Sequence, residues 1–429
     1  MSTSGADTNA GTITSPWRTP AKAASVVLPG TTVYLRQGTY APFTITRSGL
    51  AGSPITFRAY PGETATVAGN TTRPTVILVT SGAHDVVIQG LTVQGAPSQW
   101  GAGIRVDGTA HHVSILNNVL RDNRSFGIKL ANVQDITVRG NEITRNETGV
   151  EISLGGDGIV VDANRIHTND RMVVNTVGGN DDRGANAVVL YKTTGVIRVT
   201  GNMIWNNRAT SYDYGYDGGA FEIYGASNVV IDKNVMWNNE NVLETGTDVL
   251  ACDNNRFTRN TAFGGAKTGP TMGLILRCAS DMLVAGNSLY DLDRFVFDIT
   301  AQAQAFGGSI DGLRIVNNAA VSISSKIYSI DSAMPASVVI NHGISRVTSG
   351  GSIAYVYGKG NTTSLATFTS WTGFEQAGHQ ADPQFVDPVA GNLSLRSSSP
   401  AIDKGVIVAG VTDGYTGSGP DLGAHEYRP

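Results

Sequence analysis

Short runs of alternating apolar and polar residues recur along the middle of the chain, and each run ends at an asparagine. The recurring phrase is close to V-x-[IV]-x-x-N followed by a hydrophobic residue, and its apolar positions have the period of two that a β-strand requires. Successive phrases are 21 to 38 residues apart, which is the signature of a solenoid with some lengthened copies. Their asparagines are Asn118, Asn141, Asn164, Asn202, Asn234, Asn255, Asn287 and Asn318.

A second asparagine follows five residues after most of these, and both sets have the same physical explanation. An asparagine at a tight bend between strands can hydrogen-bond the local backbone and the asparagine of the next coil. We therefore expect the first six phrase asparagines, from Asn118 to Asn255, to stack in one column. The second set is Asn123, Asn146, Asn169, Asn207, Asn239 and Asn260.

From about residue 84 to 345 this repeat resembles the right-handed parallel β-helix of secreted bacterial polysaccharide lyases, glycoside hydrolases and epimerases. The resemblance implies an all-β, single-domain parallel β-helix with a short N-terminal capping helix and loop insertions on one face. It places a cap and first coils at 1–83, the β-helix core at 84–345, and C-terminal coils with a closing segment at 346–429. This fold hosts several chemistries, so the function has to come from the site.

The two ends of the chain fit the same architecture. The pattern of residues 21–27 predicts a short helix that would cover the open apolar end of the stack. Residues 382–387, 399–405 and 421–423 resemble the closing segment of secreted β-helix proteins. The first five residues lack the apolar core of a signal peptide, so we expect a mature secreted domain with an added methionine.

Composition narrows the possible partners. The chain has 52 glycines, 15% charged residues and a formal net charge of −4, which suits many tight turns and gives no basic surface for nucleic acid. No apolar run approaches the roughly 18 residues of a membrane span. The histidines show no metal-ligand spacing, so no zinc site is expected. Oligomeric state is left open by the sequence.

Two cysteines, Cys252 and Cys278, follow the strands of their own coils at a similar phase. Adjacent coils lie about 4.8 Å apart, which is within the Cα distance that a disulfide spans. The alternative is two buried free thiols. A disulfide would favour an extracellular setting.

The candidate chemistry lies on one strand of each coil, the strand that follows the second asparagine. Because flanking apolar residues point inward, the residue between them points outward. The outward column is Lys129, Glu151, Val189, Glu222, Glu244 and Ile275, and the position two residues further gives Ala131, Ser153, Tyr191, Tyr224, Gly246 and Arg277. An outward glutamate is often only solvated, and Lys129 suits a surface charge or a partner of Glu151.

Three coils are lengthened just before this strand, at about 170–186, 208–219 and 261–272. Loops that lengthen over one patch of a solenoid commonly build a binding cleft. The first contains Asn180-Asp181-Asp182-Arg183 and the second Tyr212-Asp213-Tyr214-Gly215-Tyr216-Asp217. Aromatic rings beside carboxylates suit a carbohydrate groove, although such a run also occurs in plain turn-rich loops.

These patterns favour a glycoside hydrolase that acts on a polysaccharide. Glu222 and Glu244 are the predicted catalytic pair, since side chains on adjacent coils start about 4.8 Å apart, close to the carboxyl separation of retaining glycosidases. Asp217 or Asp213 would be an inverting partner if the separation were larger. The predicted substrate-binding residues are Asp213, Tyr191, Tyr224, Tyr216, Arg277, Glu151, Asp182 and Arg183.

Two other functions remain open. A polysaccharide lyase would eliminate across a uronate with Lys192, Arg183 or Arg277 as base, assisted by calcium on the acidic residues. The calcium ligands would be Asp181, Asp182, Asp213, Asp217, Glu222 and Glu244. No Asp-Asp-Gly motif supports this, and the hydrolase hypothesis needs no cofactor. A non-catalytic glycan-binding adhesin is the third possibility, and the loops concentrated on one face argue against it.

Overall fold

The computed structural model describes residues 1–248, 250–265, 268–300, 308–348 and 350–428. The chain is all-β, with two short helices, α1 (Pro20–Val26) and α2 (Leu365–Thr372). It divides into two compact units, Met1–Arg198 with Asn207–Gly218, and Val199–Asn206 with Gly219–Pro429. In each unit the coils contribute strands to three parallel sheets, A, B and C, in the order A, B, C along the chain.

The first unit contains six successive coils of this kind. Its sheet A strands are Thr32–Leu35, Ile55–Ala59, His84–Gln89, His111–Leu116, Ile136–Arg139 and Ile159–Asp162. Its sheet B strands are Gly38–Tyr40, Ala65–Ala68, Thr92–Gln94, Val119–Arg121, Glu142–Thr144 and Arg165–His167. Its sheet C strands are Phe43–Ile45, Ile77–Val79, Ala102–Asp107, Phe126–Ala131, Thr148–Ser153 and Asn186–Tyr191.

The second unit repeats the pattern, and the strand Ile197–Thr200 of sheet A contains the boundary residues 198 and 199. Its other sheet A strands are Val229–Asp232, Arg256–Thr258, Leu283–Ala285, Arg314–Val316 and Val339–Asn341. Sheet B has Met203–Trp205, Val235–Trp237, Thr261–Phe263, Ser288–Tyr290, Ala319–Ser322, Ile344–Val347 and His379–Gln380. Sheet C has Gly219–Tyr224, Asn241–Gly246, Met272–Leu276, Asp293–Ile299, Lys326–Ile330, Ser352–Val356 and the antiparallel Gly360–Thr362.

The alternation seen in the sequence sets the core of both units. In Ile136–Arg139 the side chains of Ile136 and Val138 are completely buried, whereas Thr137 is half-buried and Arg139 is exposed. Each inward side chain meets its equivalent in the next coil, as Val113 meets Ile136 and Ile115 meets Val138. Burial of these stacked aliphatic chains supplies the main favourable free energy of folding.

Helix α1 forms where the sequence predicts a cap. Thr19 is the N-cap and accepts a hydrogen bond from the Lys22 N–H, and Pro20 occupies the first turn, where its missing N–H costs nothing. Ala23 and Ala24 are buried, and the helix packs against the strand Phe43–Ile45. The prediction of a helix at 21–27 is confirmed.

Asparagine ladders hold the bends of the first unit. The backbone N–H and the side-chain amide of Asn118 both donate to Oδ1 of Asn141, at 2.9 and 3.1 Å, and Asn141 donates in the same way to Asn164. The side-chain amide of Asn141 also donates to the Ile115 carbonyl at 2.9 Å. A second ladder joins Asn123, Asn146, Asn169 and Asn207.

The ladder of the second unit corrects one part of the predicted register. Asn202 donates to Asn234, but Asn234 then donates to Asn260 rather than to Asn255. The ladder continues from Asn260 to Asn287 and Asn318. Asn255 lies at the preceding bend, where its Oδ1 accepts the Val229 N–H and its amide donates to the Ala226 carbonyl. The coil is therefore 26 residues long at this point, and sequence spacing alone placed Asn255 one bend too late.

The C-terminal residues of the second unit fold back onto its outer surface. Phe385, Leu393, Leu395, Ala401 and Leu422 form one buried apolar cluster with residues of sheet B, among them Ala319, Val321 and Ile344. At the end of the core, Phe368 of α2 is completely buried and stacks on the ring of Tyr328, with centroids 5.0 Å apart. Helix α2 therefore covers the end of the apolar interior, whereas the predicted closing segment packs on the outside of sheet B.

Cys252 and Cys278 form a disulfide with their Cα atoms 5.4 Å apart. The predicted pairing is therefore present, and the alternative of two free thiols is not. The bond joins the segments that follow the strands Asn241–Gly246 and Met272–Leu276, which are neighbours in sheet C.

Candidate active site

The outer face of sheet C in the second unit brings two glutamates together. Glu222 and Glu244 are direct partners in the register of the parallel strands Gly219–Tyr224 and Asn241–Gly246. Their flanking residues, Phe221 and Leu243 among them, are completely buried, which turns both glutamates outward. The strand spacing sets their backbones about 4.8 Å apart. The sequence-based alignment of these two strands is confirmed.

Arg277 forms an ion pair with one member of this pair. Its Nη1 lies 3.2 Å from Oε1 of Glu244. The Glu244 side chain keeps 37% of its surface exposed, yet the surrounding strands shield its carboxyl group, and this desolvation raises the pKa of Glu244. The positive charge of Arg277 opposes the rise but does not cancel it. Burial is thus the main cause of the shift in the pKa of Glu244.

The same column continues beyond the residues recognised in the sequence. Ile275 is the partner of Glu244, Asp298 is the partner of Ile275, and Ser329 follows Asp298. Burial and the neighbouring Asp331 raise the pKa of Asp298 to about 6, with Ser329 and Arg277 opposing. Asp298 lies between the buried Phe297 and Ile299, so alternation within its strand was the signal that would have found it.

Tyr224 lies two residues beyond Glu222 on the same strand, opposite Gly246. Its side chain is half-buried, and the glycine leaves space beside it. The second unit therefore brings together Glu222, Glu244, Tyr224 and Arg277 among the predicted site residues, and adds Asp298.

The first unit has its own charged cluster on the outer face of its sheet C. Lys129 and Glu151 are register partners, and Nζ of Lys129 lies 2.6 Å from Oε1 of Glu151. Arg183 contacts the other oxygen of Glu151 at 3.2 Å and Oε1 of Glu147 at 3.3 Å. Glu151 is only 7% exposed, so it is a buried ion-pair partner, and the interpretation of Lys129 as a partner of Glu151 is confirmed.

Glu147 is the most deeply buried acid of this cluster, with no exposed side-chain surface. Its Oε2 accepts a 2.5 Å hydrogen bond from the Ser125 hydroxyl. Desolvation raises the pKa of Glu147, and Arg183 and Ser125 oppose the shift. The Arg183 guanidinium also lies over the rings of Trp100 and Phe126, 4.5 and 5.4 Å from their centroids. Arg183 therefore fixes the first long loop to the outer face of sheet C.

The two long loops of the first unit are antiparallel hairpins. One pairs Met172–Val174 with Arg183–Gly184, and the other pairs Ala209–Ser211 with Gly215–Asp217. Oδ2 of Asp213 accepts the backbone N–H groups of Asp181 and Asp182, at 2.9 and 3.2 Å. The Ser211 hydroxyl donates to Oδ2 of Asp182. Asp213 and Asp182 therefore join one hairpin to the other.

The environment of this junction affects the protonation of Asp182. Burial raises the pKa of Asp182 and the adjacent Asp213 raises it further, while the hydrogen bond from Ser211 opposes the shift. Asp217 accepts the N–H of Gly218 at 2.7 Å. Tyr216 and Tyr191 are each 37% exposed, and each has a cation near its ring, Arg208 and Lys192 respectively. These two tyrosines are the predicted sugar-binding residues of this unit that stay accessible.

The third predicted loop, 261–272, lies in the second unit and begins with the strand Thr261–Phe263. Its residues 266 and 267 lie outside the described part of the chain. Trp237 stacks on Phe263 with centroids 5.7 Å apart, and Trp205 stacks on Trp237 with centroids 4.9 Å apart, which makes an aromatic ladder on sheet B. These rings cover one another's faces and stabilise the stack.

The arrangement of the acidic side chains bears on whether the protein could hold a metal ion. Within residues 1–248, 250–265, 268–300, 308–348 and 350–428 no three or more His, Cys, Asp or Glu side chains converge as metal ligands. At the hairpin junction Oδ2 of Asp213 accepts two backbone N–H groups and Oδ2 of Asp182 accepts a hydroxyl, while Oδ1 of Asp213 is buried without a hydrogen-bond partner among the described residues. Calcium takes six to eight oxygen ligands, and the residues here do not provide such a set.

Comparisons with known proteins define the family. Residues 1–269 match the family model described as "Pel9A-like, right handed beta helix region". The chain belongs to this family, and its coils form a right-handed parallel β-helix, as the sequence predicted. It is 25% identical over 434 residues to the uncharacterized protein YwoF of Bacillus subtilis (strain 168), covering 94% of this chain and 91% of YwoF.

The chain is also similar to proteins named for carbohydrate chemistry. A stretch of 72 residues is 42% identical to the pectate lyase PEL9 of Emericella nidulans, covering 16% of this chain and 18% of that protein. Among solved structures, pectate lyase Pel9A superimposes with a TM-score of 0.53 at 16% identity, covering 100% of this chain and 96% of Pel9A. The structure of XylC in complex with xylose superimposes with a TM-score of 0.54 at 12% identity, covering 90% of this chain and 86% of XylC. At these identities the superpositions show the fold alone. The chain is thus a β-helix protein related to carbohydrate-active enzymes, pectate lyases among them.

None of the helices in the described part of the chain has the length and apolar character needed to cross a membrane.

Proposed function

We propose that this protein is a glycoside hydrolase that cleaves a polysaccharide with Glu222 and Glu244 as its catalytic pair. The observation that supports this most directly is their position as register partners on adjacent strands, with the pKa of Glu244 raised by burial. A spacing of about 4.8 Å between their backbones suits the short carboxyl separation of a retaining enzyme.

The two carboxyl groups have different roles in this mechanism. Glu244, whose pKa is raised by burial, acts as the general acid and donates its proton to the glycosidic oxygen as the bond to the leaving sugar breaks. Ionised Glu222 attacks the anomeric carbon and forms a glycosyl ester. Glu244, now ionised, takes a proton from water, whose oxygen displaces Glu222 and restores both groups.

Other residues of the second unit have supporting roles in the proposal. Arg277 orients the Glu244 carboxyl through its contact with Oε1. Tyr224, half-buried beside Glu222, offers a ring edge and a hydroxyl to the bound sugar. Tyr191, Tyr216, Asp213 and Asp217 lie in the first unit, and we propose that they bind carbohydrate within that unit.

The buried ion pairs change the proposed role of the remaining predicted residues. Glu151 and Arg183 neutralise each other and hold the first hairpin to the outer face of sheet C, and Asp182 is part of the hairpin junction. We therefore propose that these three position the loops rather than contact the sugar. Removing any one of them would leave a buried charge or hydroxyl without its partner.

A polysaccharide lyase is the second candidate, because the family model is described as Pel9A-like and one of the relatives is named a pectate lyase. The base would abstract a proton next to a uronate carboxyl group. Arg183 and Arg277 are both held in ion pairs, and Lys192 lies 5.0 Å from the ring centroid of Tyr191. Lys192, Arg183 and Arg277 are the candidate bases for this alternative. No step is assigned to calcium, because the donor set does not fit it.

The reaction products distinguish a polysaccharide lyase from a glycoside hydrolase. A lyase leaves an unsaturated sugar that absorbs in the ultraviolet, and a hydrolase produces new reducing ends without that absorbance. Digestion of a polysaccharide panel, neutral and uronate-containing, is expected to release reducing ends only, with activity unchanged in EDTA. Unsaturated products, or loss of activity in EDTA with recovery on adding Ca²⁺, would refute the hydrolase.

Variants of Glu222 and Glu244 test whether these residues are the catalytic pair. Glu222→Gln and Glu244→Gln should each reduce kcat by about a thousandfold or more, since general acid and nucleophile are lost, while folding is retained. Glu142→Gln is the matched control, because Glu142 is a half-exposed outward glutamate on a sheet B strand. Near wild-type activity in both catalytic variants, with loss in Asp213→Asn or Asp217→Asn, would move the catalytic centre to the second hairpin.

We also propose that the protein acts outside the cell. The disulfide between Cys252 and Cys278 supports this, since such bonds persist in oxidising compartments.

A further inference from the structure

The second unit contains a cavity that the proposed catalytic pair does not use. It has a volume of about 590 Å³ and lies where residues 330–341, residues 356–359 and the C-terminal end of α2 meet. Pockets for small ligands generally have volumes of 300 to 1,000 Å³. We call this cavity the end pocket.

The walls of the end pocket are held in place by hydrogen bonds that do not depend on a ligand. The N–H groups of His342 and Ala377 donate to Oδ1 of Asn341, at 2.9 and 2.8 Å. Glu375, next to the lining, is 3% exposed and accepts the Tyr328 hydroxyl and the Gly343 N–H, at 2.6 and 2.9 Å. The pocket is therefore formed before a ligand arrives, which lowers the entropy cost of binding.

The lining combines aromatic rings with hydrogen-bond donors. Trp371 is half-buried and Tyr357 is 65% exposed. Because Oδ1 of Asn341 is fully used by backbone donors, its side-chain amino group is left for a ligand, with no partner among the described residues. Lys359 lies at the rim, and in the described part of the chain it forms no ion pair. Among the described residues, none that lines the pocket carries a carboxylate.

This chemistry fits one ring of a carbohydrate. A pyranose presents an apolar face that packs on an aromatic ring and hydroxyl oxygens that accept from amide and ammonium donors. A basic ligand is disfavoured, since Lys359 is the charged group of the lining. Both a neutral sugar and an acidic sugar have the required ring and acceptors.

One wall of the end pocket belongs to the strand Ser352–Val356, which is in the same sheet as the catalytic pair. The column from Glu244 continues through Ile275, Asp298, Ser329 and Tyr355, each the register partner of the one before. Tyr355 is therefore four strands from Glu244, about 19 Å away by strand spacing. Val356 and Tyr357, which follow Tyr355 directly, line the pocket. A glycan chain that occupies the catalytic pair and runs along sheet C would reach it.

We propose that the end pocket is a remote subsite that binds a single pyranose residue of the polysaccharide, with Trp371 and Tyr357 as its aromatic contacts. This rests on the proposed function for its effect on catalysis, but binding can be measured without it. The subsite would favour long substrates over short ones, because only a long chain reaches both sites.

Binding is tested on the full chain with Glu244→Gln, which prevents turnover if the proposed function holds. Calorimetric titration with neutral hexasaccharides of glucose, xylose and galactose, and with a galacturonan hexasaccharide, should find at least one ligand. In the Glu244→Gln protein, the further change Tyr357→Ala should weaken the binding of that hexasaccharide at least tenfold. Folding should be unaffected, because Tyr357 is exposed and supports no core. Tyr415→Ala, an exposed tyrosine outside the pocket, should leave it unchanged.

Substitution of Lys359 tests whether the sugar bound in the end pocket is acidic or neutral. Lys359→Gln should weaken the galacturonan ligand severalfold if the bound sugar is acidic, and change neutral ligands little. Trp371→Ala serves as a second aromatic test, and circular dichroism checks that α2 still folds. Equal affinity in the parent, Tyr357→Ala and Trp371→Ala proteins, or no binding by any of the hexasaccharides, would overturn the subsite.

Kinetics separate this inference from the proposed function. In the otherwise native enzyme, Tyr357→Ala should raise KM for the polymer about tenfold with kcat unchanged, and leave a disaccharide substrate unaffected. If Glu244→Gln stays active, the catalytic assignment fails, and the binding result still decides the pocket. An equal effect of Tyr357→Ala on polymer and disaccharide would contradict a remote subsite.

Discussion

Nη1 of Arg277 lies 3.2 Å from Oε1 of Glu244. Arg277 directly follows the strand Met272–Leu276, which pairs with the strand that carries Glu244. The arginine lowers the pKa of Glu244, but burial raises it by more. The net effect favours a protonated carboxyl group, held in a fixed orientation by its cation. An acid catalyst needs both features.

Replacing this arginine should change the pH dependence of catalysis. In Arg277→Ala the opposing charge is lost, so the pKa of Glu244 rises further and the group stays protonated to higher pH. The alkaline limb of the kcat/KM profile should therefore move to higher pH, and kcat should fall because the carboxyl is less well oriented. Arg277→Lys should restore part of both effects.

The control for that prediction is Arg346→Ala. Arg346 is in the same unit and pairs with Asp382 on the surface, so its loss should leave the pH profile unchanged. An Arg277→Ala profile that overlays the wild type would mean that Glu244 does not titrate in catalysis.

Asp298 should make stability depend on pH. Its pKa of about 6 in the folded protein is above the ordinary value, so the folded state holds a proton that the unfolded chain releases. Stability is fully present below the unfolded pKa and decreases as pH rises through about 6. The loss amounts to about 3 kcal/mol at most.

Asp298→Asn should remove this decrease, since the amide stays uncharged. Thermal unfolding at pH 4 and pH 7 measures it: the variant should gain stability relative to wild type at the higher pH. Asp253→Asn, a half-buried carboxylate elsewhere in the unit, is the control. The same difference between variant and wild type at both pH values would show that Asp298 titrates normally.

The asparagine ladder predicts a large cost for a small change. Asn141→Ala removes the acceptor of the Asn118 N–H and the donor to the Ile115 carbonyl, both buried. Each unpaired buried group costs about 1 to 3 kcal/mol, so the free energy of unfolding should fall by at least about 2 kcal/mol. Urea denaturation measures this. Thr137→Ala, a nearby outward residue, should cost far less, and a comparable loss there would contradict the ladder's role.

Reduction of the disulfide should destabilise the second unit. Cys252 and Cys278 are 26 residues apart, and a closed loop of that size corresponds to about 3.5 kcal/mol of chain entropy. Addition of reductant, or the Cys252→Ser/Cys278→Ser double variant, should lower the melting temperature in a calorimetric scan. Identical scans with and without reductant would indicate that the bond contributes nothing to stability.

The presence of the coils and the outward direction of particular residues could be predicted from the sequence alone. The alternation of apolar residues is a local property of each strand, so it placed Ile136 and Val138 inside and Glu222 and Glu244 outside. The pairing of the two cysteines followed from the same phase argument. Family resemblance then supplied the fold, which the family match confirms.

The register between neighbouring coils and the partners of the charged side chains depend on the tertiary structure. Register across coils depends on loop lengths, so spacing misplaced Asn255 by one bend. Burial of a polar group depends on what packs over it. Arg183 comes from a long hairpin and buries Glu151, which no local pattern could reveal, because the contact joins residues 32 positions apart.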